Sequence, residues 1–426
     1  VTSPVRARTL AGLPDPRRPW RRLAAIAAFA GPGLVAANAG NDAGGIATYA
    51  NAGAQFGYRT LFFMVLVTVG LVVVQEMCAR LGAYTGEGLA SLIREQFSIR
   101  VTAFALVCLL VANLGLVVSE FAGIALALGL LGVSRYICIP IAALAVWGLV
   151  VFGSYRYAER LFLVLSLAFF TYPVAAVLAH PHLGTAATSL VLPHFLATRE
   201  FLLIGVALIG TTITPYMQFY VAAAVADKGI GPEDYPAERI DTVGGAIFCN
   251  VISICIIIAT AAAIKVRAPL DSAKAAAEAL RPVAGRFAED LFALGLVGAS
   301  SLAAAVVPLS TAYAISEAVG AERSVSRSFR EAPLFLGLFT GQVFLGALVA
   351  VFPGNLVQLL VQAQVLNGII TPVLLGYVLV LANRTSVLGE AANGRAFRVV
   401  ATVTVVIAAA LSLVVLGETV GGWVGL

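Results

Sequence analysis

Apolar runs, each near the length that crosses a bilayer, follow one another through short connections from Leu23 to Leu416. A spanning helix takes about 20 such residues across roughly 30 Å of hydrocarbon. Eleven segments of this kind can be placed, at approximately 23–52, 61–82, 101–131, 136–153, 157–179, 200–226, 242–264, 288–316, 333–352, 355–382 and 397–416. Hydrocarbon offers backbone N–H and C=O groups no water, so the chain must pair them internally as helices or as a closed barrel. A barrel would show ten-residue alternation instead of unbroken runs, so an all-α integral membrane protein is expected. With 60% hydrophobic and 12% charged residues and a mean hydropathy of +0.96, almost nothing remains for a soluble domain.

Basic residues set the expected orientation. With the N-terminus in the cytoplasm, 19 of the 27 Lys and Arg residues fall in cytoplasmic segments and 8 outside, in keeping with the positive-inside rule. Five of those eight, Lys265, Arg267, Lys274, Arg281 and Arg286, lie in the longer connection between the seventh and eighth spans, where an exposed amphipathic helix is expected. Residues 1–22 read as a basic cytoplasmic segment, and the run after them lacks the cleavage site of a signal peptide. The net charge of +5 thus follows from topology, and neither a basic patch nor an aromatic platform supports a nucleic-acid partner. The expected setting is the lipid bilayer of the cell (inner or plasma) membrane, crossed many times. Cys78, Cys108, Cys138, Cys249 and Cys255 all fall in spans without CxxC spacing and read as small apolar fillers.

Two spans are interrupted. In the first, Asn38-Ala39-Gly40-Asn41-Asp42-Ala43-Gly44-Gly45 sets one carboxylate in a small-residue break, and an acid or irregular backbone at that depth is tolerated only inside protein or beside a water-filled cavity. In the sixth, Gly210-Thr211-Thr212-Ile213-Thr214-Pro215-Tyr216 breaks the run from Phe201 to Ala226. An offset of five spans gives the two breaks opposite orientations, as an inverted repeat of five plus five helices requires, and paired interruptions point to a midplane binding site. Two helices merely kinked by Gly and Pro are the plainer alternative.

Unwound helix frees carbonyl oxygens, and the C-terminal end of a half-helix carries partial negative charge, so the first break suits a cation completed by the Asp42 carboxylate. Thr211 and Thr214 offer further hard oxygens at the second break. No Cys or Met falls inside either break, the nearest being Met217, so Mg2+ or Mn2+ fits better than Cu(I) or Zn2+. One acid leaves a divalent ion with net positive charge, so a second acid or several dipoles should stand nearby. Glu120, mid-span between Gly115 and Gly123, is read as part of an ion path or as a buried structural bond. Glu76 is expected to pair with Arg80 at i+4. Gln364 and Asn367 share a helix face in span ten, either towards a cavity or towards neighbouring helices. All three histidines, His180, His182 and His194, lie between spans five and six, so no span carries a group that ordinarily titrates near neutrality.

The stretches GPGLVAANAGNDAGG, AGAQFGYRTL, QEMCARLGAYTGEGL, SEFAGIALAL and GTTITPYMQFY resemble the NRAMP family of divalent transition-metal transporters, and in detail its NRAMP-related magnesium transporter branch. The resemblance runs from Gly31 through the span-ten region. It implies a LeuT-type fold, an inverted repeat of five plus five helices with an eleventh span, and a substrate held between spans one and six and moved by alternating access. The family's DPGN motif reads Asp42-Ala43-Gly44-Gly45 here, so its metal-binding asparagine corresponds to Gly45. Its methionine-proline-histidine motif reads Thr214-Pro215-Tyr216, which replaces a soft thioether and a histidine associated with proton movement. Val117 stands where the family commonly has an acid. Thr211 matches a position whose backbone carbonyl is a family ligand, while span ten aligns poorly and carries no ligand over.

These readings nominate Asp42, Gly45, Thr211, Thr214 and Ala39 as metal-site positions, with Glu120, Tyr216, Gln364 and Asn367 on a possible ion path. The expected organisation is a basic segment at 1–22, a transporter core at 23–382 and a final loop, span and terminus at 383–426. The expected activity is import of Mg2+, with Mn2+ also accepted, without proton coupling, no cofactor and no obligate protein partner. The membrane potential supplies about 2.3 kcal/mol per charge per 100 mV, about 4.6 for a divalent ion. The rivals are a proton-coupled Mn2+/Fe2+ importer and a sodium-coupled amino-acid transporter on the same fold. An enzyme is not expected, since an intramembrane aspartyl protease needs two cooperating aspartates and Asp241 and Asp290 lie outside matching motifs. No Ser–His pair or histidine cluster lies within the spans either.

Overall fold

The computed structural model describes residues 41–152, 171–264, 267–322, 329–352 and 354–424. The described elements are helical: α1 Ala43–Phe56, α2 Leu61–Thr85, α3 Leu89–Gln96, α4 Ile99–Leu130, α5 Arg135–Val151, α6 Thr171–Leu178, α7 Leu183–Val191, α8 Arg199–Thr212, α9 Pro215–Asp227, α10 Tyr235–Ala263, α11 Ala273–Ala277, α12 Arg281–Ala284, α13 Ala288–Val319, α14 Pro333–Val351, α15 Leu356–Asn383, α16 Thr385–Leu388 and α17 Arg395–Val424. Among the described residues, eight helical stretches are long and apolar enough to cross a bilayer, and α5 is a shorter apolar helix. Their positions follow the expected spans, except that α10 begins at Tyr235 rather than near 242 and α17 runs to Val424 rather than 416. The first half of span one, including Ala39, and span five up to residue 170 lie outside the described residues. Between spans seven and eight the helical pieces α11 and α12 stand where an exposed helix was expected. There Lys274 pairs with Glu289 at 3.2 Å and Arg281 with Glu278 at 3.0 Å.

Helices that are apolar all round pack by close backbone approach, because lipid is as apolar as leucine and gives no burial drive between them. Glycines make the crossings. A Cβ on Gly82 of α2 would strike the Ala222 carbonyl of α9, and one on Gly53 of α1 would sit 2.5 Å from the Ile257 carbonyl of α10. The α8–α15 crossing is reciprocal: Gly210 faces the backbone of Gln364 and Gly368, and Gly368 faces the Val206 carbonyl. Helix ends are closed where the chain needs a left-handed residue. Gly86 takes φ 70° at the end of α2, where its N–H bonds the Gly82 carbonyl.

At the end of the bundle where α2 finishes, Glu76 forms the expected pair with Arg80 at 3.2 Å. The contact is wider than a helical pair: the Tyr235 hydroxyl donates to Glu76 at 2.6 Å and Arg239 lies 3.6 Å away. Arg80 also donates to the Ala391 carbonyl at 3.0 Å and to the Asn393 side chain, and stacks on Phe397. One buried carboxylate therefore ties α2 and α10 to the loop before α17.

Candidate functional site

The first break reaches the described residues at Asp42, whose backbone is extended (φ −70°, ψ 177°) and whose side chain caps α1. Asp42 Oδ1 accepts the Gly45 N–H at 2.6 Å, satisfying one orphan donor of the helix start. Asp42 Oδ2 is buried with no hydrogen-bond partner among the described residues. Gly45 thus serves the acid through its N–H. Glu120, in the middle of α4, reaches the same helix start, where its Oε2 accepts the Ala43 N–H at 3.4 Å. Two carboxylates therefore meet the first turn of α1, at the end where the helix dipole favours negative charge.

The second break is narrower than the sequence motif. Helix α8 ends at Thr212, Ile213 leaves helical geometry (φ −113°, ψ 53°), Thr214 is extended (φ −65°, ψ 140°), and α9 restarts with Pro215 in its first turn. Proline has no N–H, so the Thr211 carbonyl loses the donor that a continuous helix would bring four residues later. The preceding carbonyls are occupied: Ile213 N–H bonds Ile209 at 2.8 Å, and Asn367 Nδ2 bonds Gly210 at 2.6 Å. The Thr211 and Thr214 hydroxyls are both fully buried, with no hydrogen-bond partner among the described residues. Tyr216, buried in the first turn of α9, lies within electrostatic reach of Asp42 and Glu120.

Span ten meets both breaks. Asn367 binds the α8 end, while Gln364, one turn earlier, brings its side-chain amide against Gly44, where a Cβ would collide with it. Both polar atoms of the Gln364 amide are buried without partners among the described residues. Ser119 of α4 comes to the same place, its hydroxyl 2.8 Å from where a Gly44 Cβ would stand. Val117, where the family commonly carries an acid, is packed among apolar side chains with its Cγ1 2.6 Å from the position of a Gly346 Cβ.

Several neighbours escaped the sequence reading. Asn41 donates to Cys249 Sγ at 3.2 Å, so Cys249 accepts a hydrogen bond beside the first break and is more than an apolar filler. Ser253, one turn along α10, donates to Asn41 at 3.4 Å. Tyr49 and Thr212 join across the two broken spans at 3.1 Å. Polar residues at helical spacing on α10 were the available signal, but nothing local says that Cys249 meets a residue 208 positions away. Among the described residues no three His, Cys, Asp or Glu side chains gather as a metal cage. The groups that the described residues bring to the two breaks are carboxylates, carbonyls, hydroxyls and amides, which are hard oxygen donors.

A family model described as natural resistance-associated macrophage protein-like (Nramp) matches residues 33–418. The chain is 28% identical to a protein of Ralstonia nicotianae named divalent metal cation transporter MntH, over 92% of this chain and 90% of that protein. It is 27% identical to the MntH of Burkholderia ambifaria, over 90% and 88%. Among solved structures, the manganese transporter of Eremococcus coleocola, in complex with an aromatic bis-isothiourea substituted compound, superposes with a TM-score of 0.77 at 22% identity, covering 97% of this chain and 90% of that one. MhsT, solved with L-phenylalanine, gives 0.54 at 12% identity, covering 90% and 97%. These likenesses carry the LeuT-type fold, and the relatives' names point to a transporter rather than an enzyme. The family match over nearly the whole chain makes this protein a member of the Nramp family.

Proposed function

We propose that this protein imports Mg2+, with Mn2+ also accepted, by alternating access around a site between the first and sixth spans, without a coupled proton. The observation that carries the reading is Asp42 Oδ2, a buried carboxylate oxygen left unpartnered where hard donors converge. Glu120 supplies the second acid that a divalent charge asks for, and Thr211, Thr214 and the Gln364 amide supply neutral oxygens. Ala39, within the first break as the sequence reads it, is nominated as a further backbone oxygen ligand. Gly45 and Thr214 replace the asparagine and methionine of the family pattern, which leaves room for an ion that gives up water reluctantly. The relatives named divalent metal cation transporters support a divalent cargo. Val117, enclosed in apolar packing, and Tyr216, in place of histidine, support the absence of a proton path.

The core then spans residues 23–382, with 1–22 and 383–426 as flanking segments, in the cell membrane with the N-terminus in the cytoplasm. The second reading is the proton-coupled Mn2+/Fe2+ importer, favoured by the likeness to a manganese transporter. Reconstituted protein separates the two: ion uptake should proceed under an inside-negative potential with no internal acidification. Uptake of Mn2+ but not Mg2+, accompanied by acidification, would establish the rival.

A further inference from the structure

We propose that Tyr49 is a positioning residue for ion binding: its phenol holds the end of α8 against α1, so that the Thr211 carbonyl keeps its place at the second break. The inference rests on the reading of the breaks as the ion site. Asp42, Gly45 and Tyr49 follow at i, i+3 and i+7, so Tyr49 stands two turns above the acid on the same face of α1. Helical side chains lean towards the N-terminus, which folds the phenol back over the turn of Gly45 towards the break. Tyr49 is 1% exposed, and a buried tyrosine hydroxyl needs a partner. It finds Thr212 Oγ1 at 3.1 Å, on the last residue of α8. It also reaches Ser253 of α10, which in turn donates to Asn41 beside Asp42.

The three threonines of the second break thereby divide. The Thr211 and Thr214 hydroxyls are unpartnered, whereas that of Thr212 is spent on Tyr49. Ile213 and Thr214 are non-helical, so the main chain after Thr212 does not itself fix where the Thr211 carbonyl stands. Among the described residues, the Tyr49 contact and the Asn367 bond to the neighbouring Gly210 carbonyl are side-chain ties on this helix end. Removing one tie should loosen the ion's carbonyl ligand while leaving the translocating bundle assembled.

The test is Mg2+ uptake into proteoliposomes by the parent, Tyr49→Phe, Thr212→Val, the double variant, Thr212→Ser and Asp42→Ala. Tyr49→Phe and Thr212→Val should each raise the half-saturating Mg2+ concentration about tenfold, as loss of one buried hydrogen bond does, with maximal rate within about twofold of the parent. The double variant should be no worse than the worse single, and Thr212→Ser, which keeps the hydroxyl, should match the parent. Unchanged half-saturation in both single variants, or a lower maximal rate at unchanged half-saturation, overturns the positioning role. If those results come with an inactive Asp42→Ala, the latch alone fails. Parent-like uptake by Asp42→Ala overturns the ion site and the latch together.

Discussion

Gly210→Ala should be far more damaging than Gly205→Ala, although both lie on α8 and both add one methyl group. At Gly210 the new Cβ would meet main chain, the Gln364 carbonyl and the Gly368 N–H, with the Gly368 Cα only 2.9 Å away. Backbone cannot rotate aside as a side chain can, so α8 and α15 must separate by several tenths of an ångström or more. Overpacking of this kind costs about 1–3 kcal/mol. Weakening the 2.6 Å bond from Asn367 to the Gly210 carbonyl adds about 1 kcal/mol, and alanine's helix propensity returns about 1. The net loss is about 1–3 kcal/mol. At Gly205 the nearest atom is Phe63 Cζ at 3.7 Å, an ordinary contact, so only the propensity gain of about 1 kcal/mol remains. The two variants should differ by about 2–4 kcal/mol in thermal or denaturant unfolding of the purified protein. Gly210→Ala should also slow Mg2+ uptake, because it moves the Thr211 carbonyl and Gln364 together. Equal stability and equal uptake in the two variants would refute the glycine crossing as the device that brings span ten to the break.

Arg80→Ala should destabilise the fold by about 3 kcal/mol, since it leaves the buried Glu76 carboxylate short of its nearest cation and cuts the ties to Ala391 and Asn393. A melting temperature unchanged from the parent would contradict that role. Thr214→Met with Gly45→Asn restores the softer and more crowded donor set of the family pattern, and should shift competition uptake towards Mn2+ by about tenfold. A Mn2+/Mg2+ competition ratio unchanged from the parent would show that these positions do not select the ion.

The spans were legible because hydrocarbon imposes a length on every helix, and the Glu76–Arg80 pair because i+4 spacing is local. The sixth-span break was legible from Thr214-Pro215, and the structure narrows it to Ile213 and Thr214, the two residues that leave helical geometry between α8 and α9. What the sequence did not disclose is rotational: a helix apolar on all sides, such as α4 or α15, carries no stripe that says which side faces the protein. Gln364 and Asn367 share a face, yet one leans over Gly44 and the other binds the Gly210 carbonyl, a division settled by the glycine crossing of α8 and α15. Asn41 with Cys249, and Tyr49 with Thr212, join residues far apart in the chain, where no periodicity reports a contact.

The most direct measurement is the initial rate of Mg2+ uptake into proteoliposomes holding equal amounts of folded parent protein and Asp42→Ala, under an inside-negative potential. Without the carboxylate, uptake should fall to the leak of protein-free vesicles, because the remaining neutral oxygens and Glu120 do not replace the charge that meets the ion at the first break. A rate equal to that of the parent would contradict Asp42 as the principal ligand and with it the site between the two broken spans.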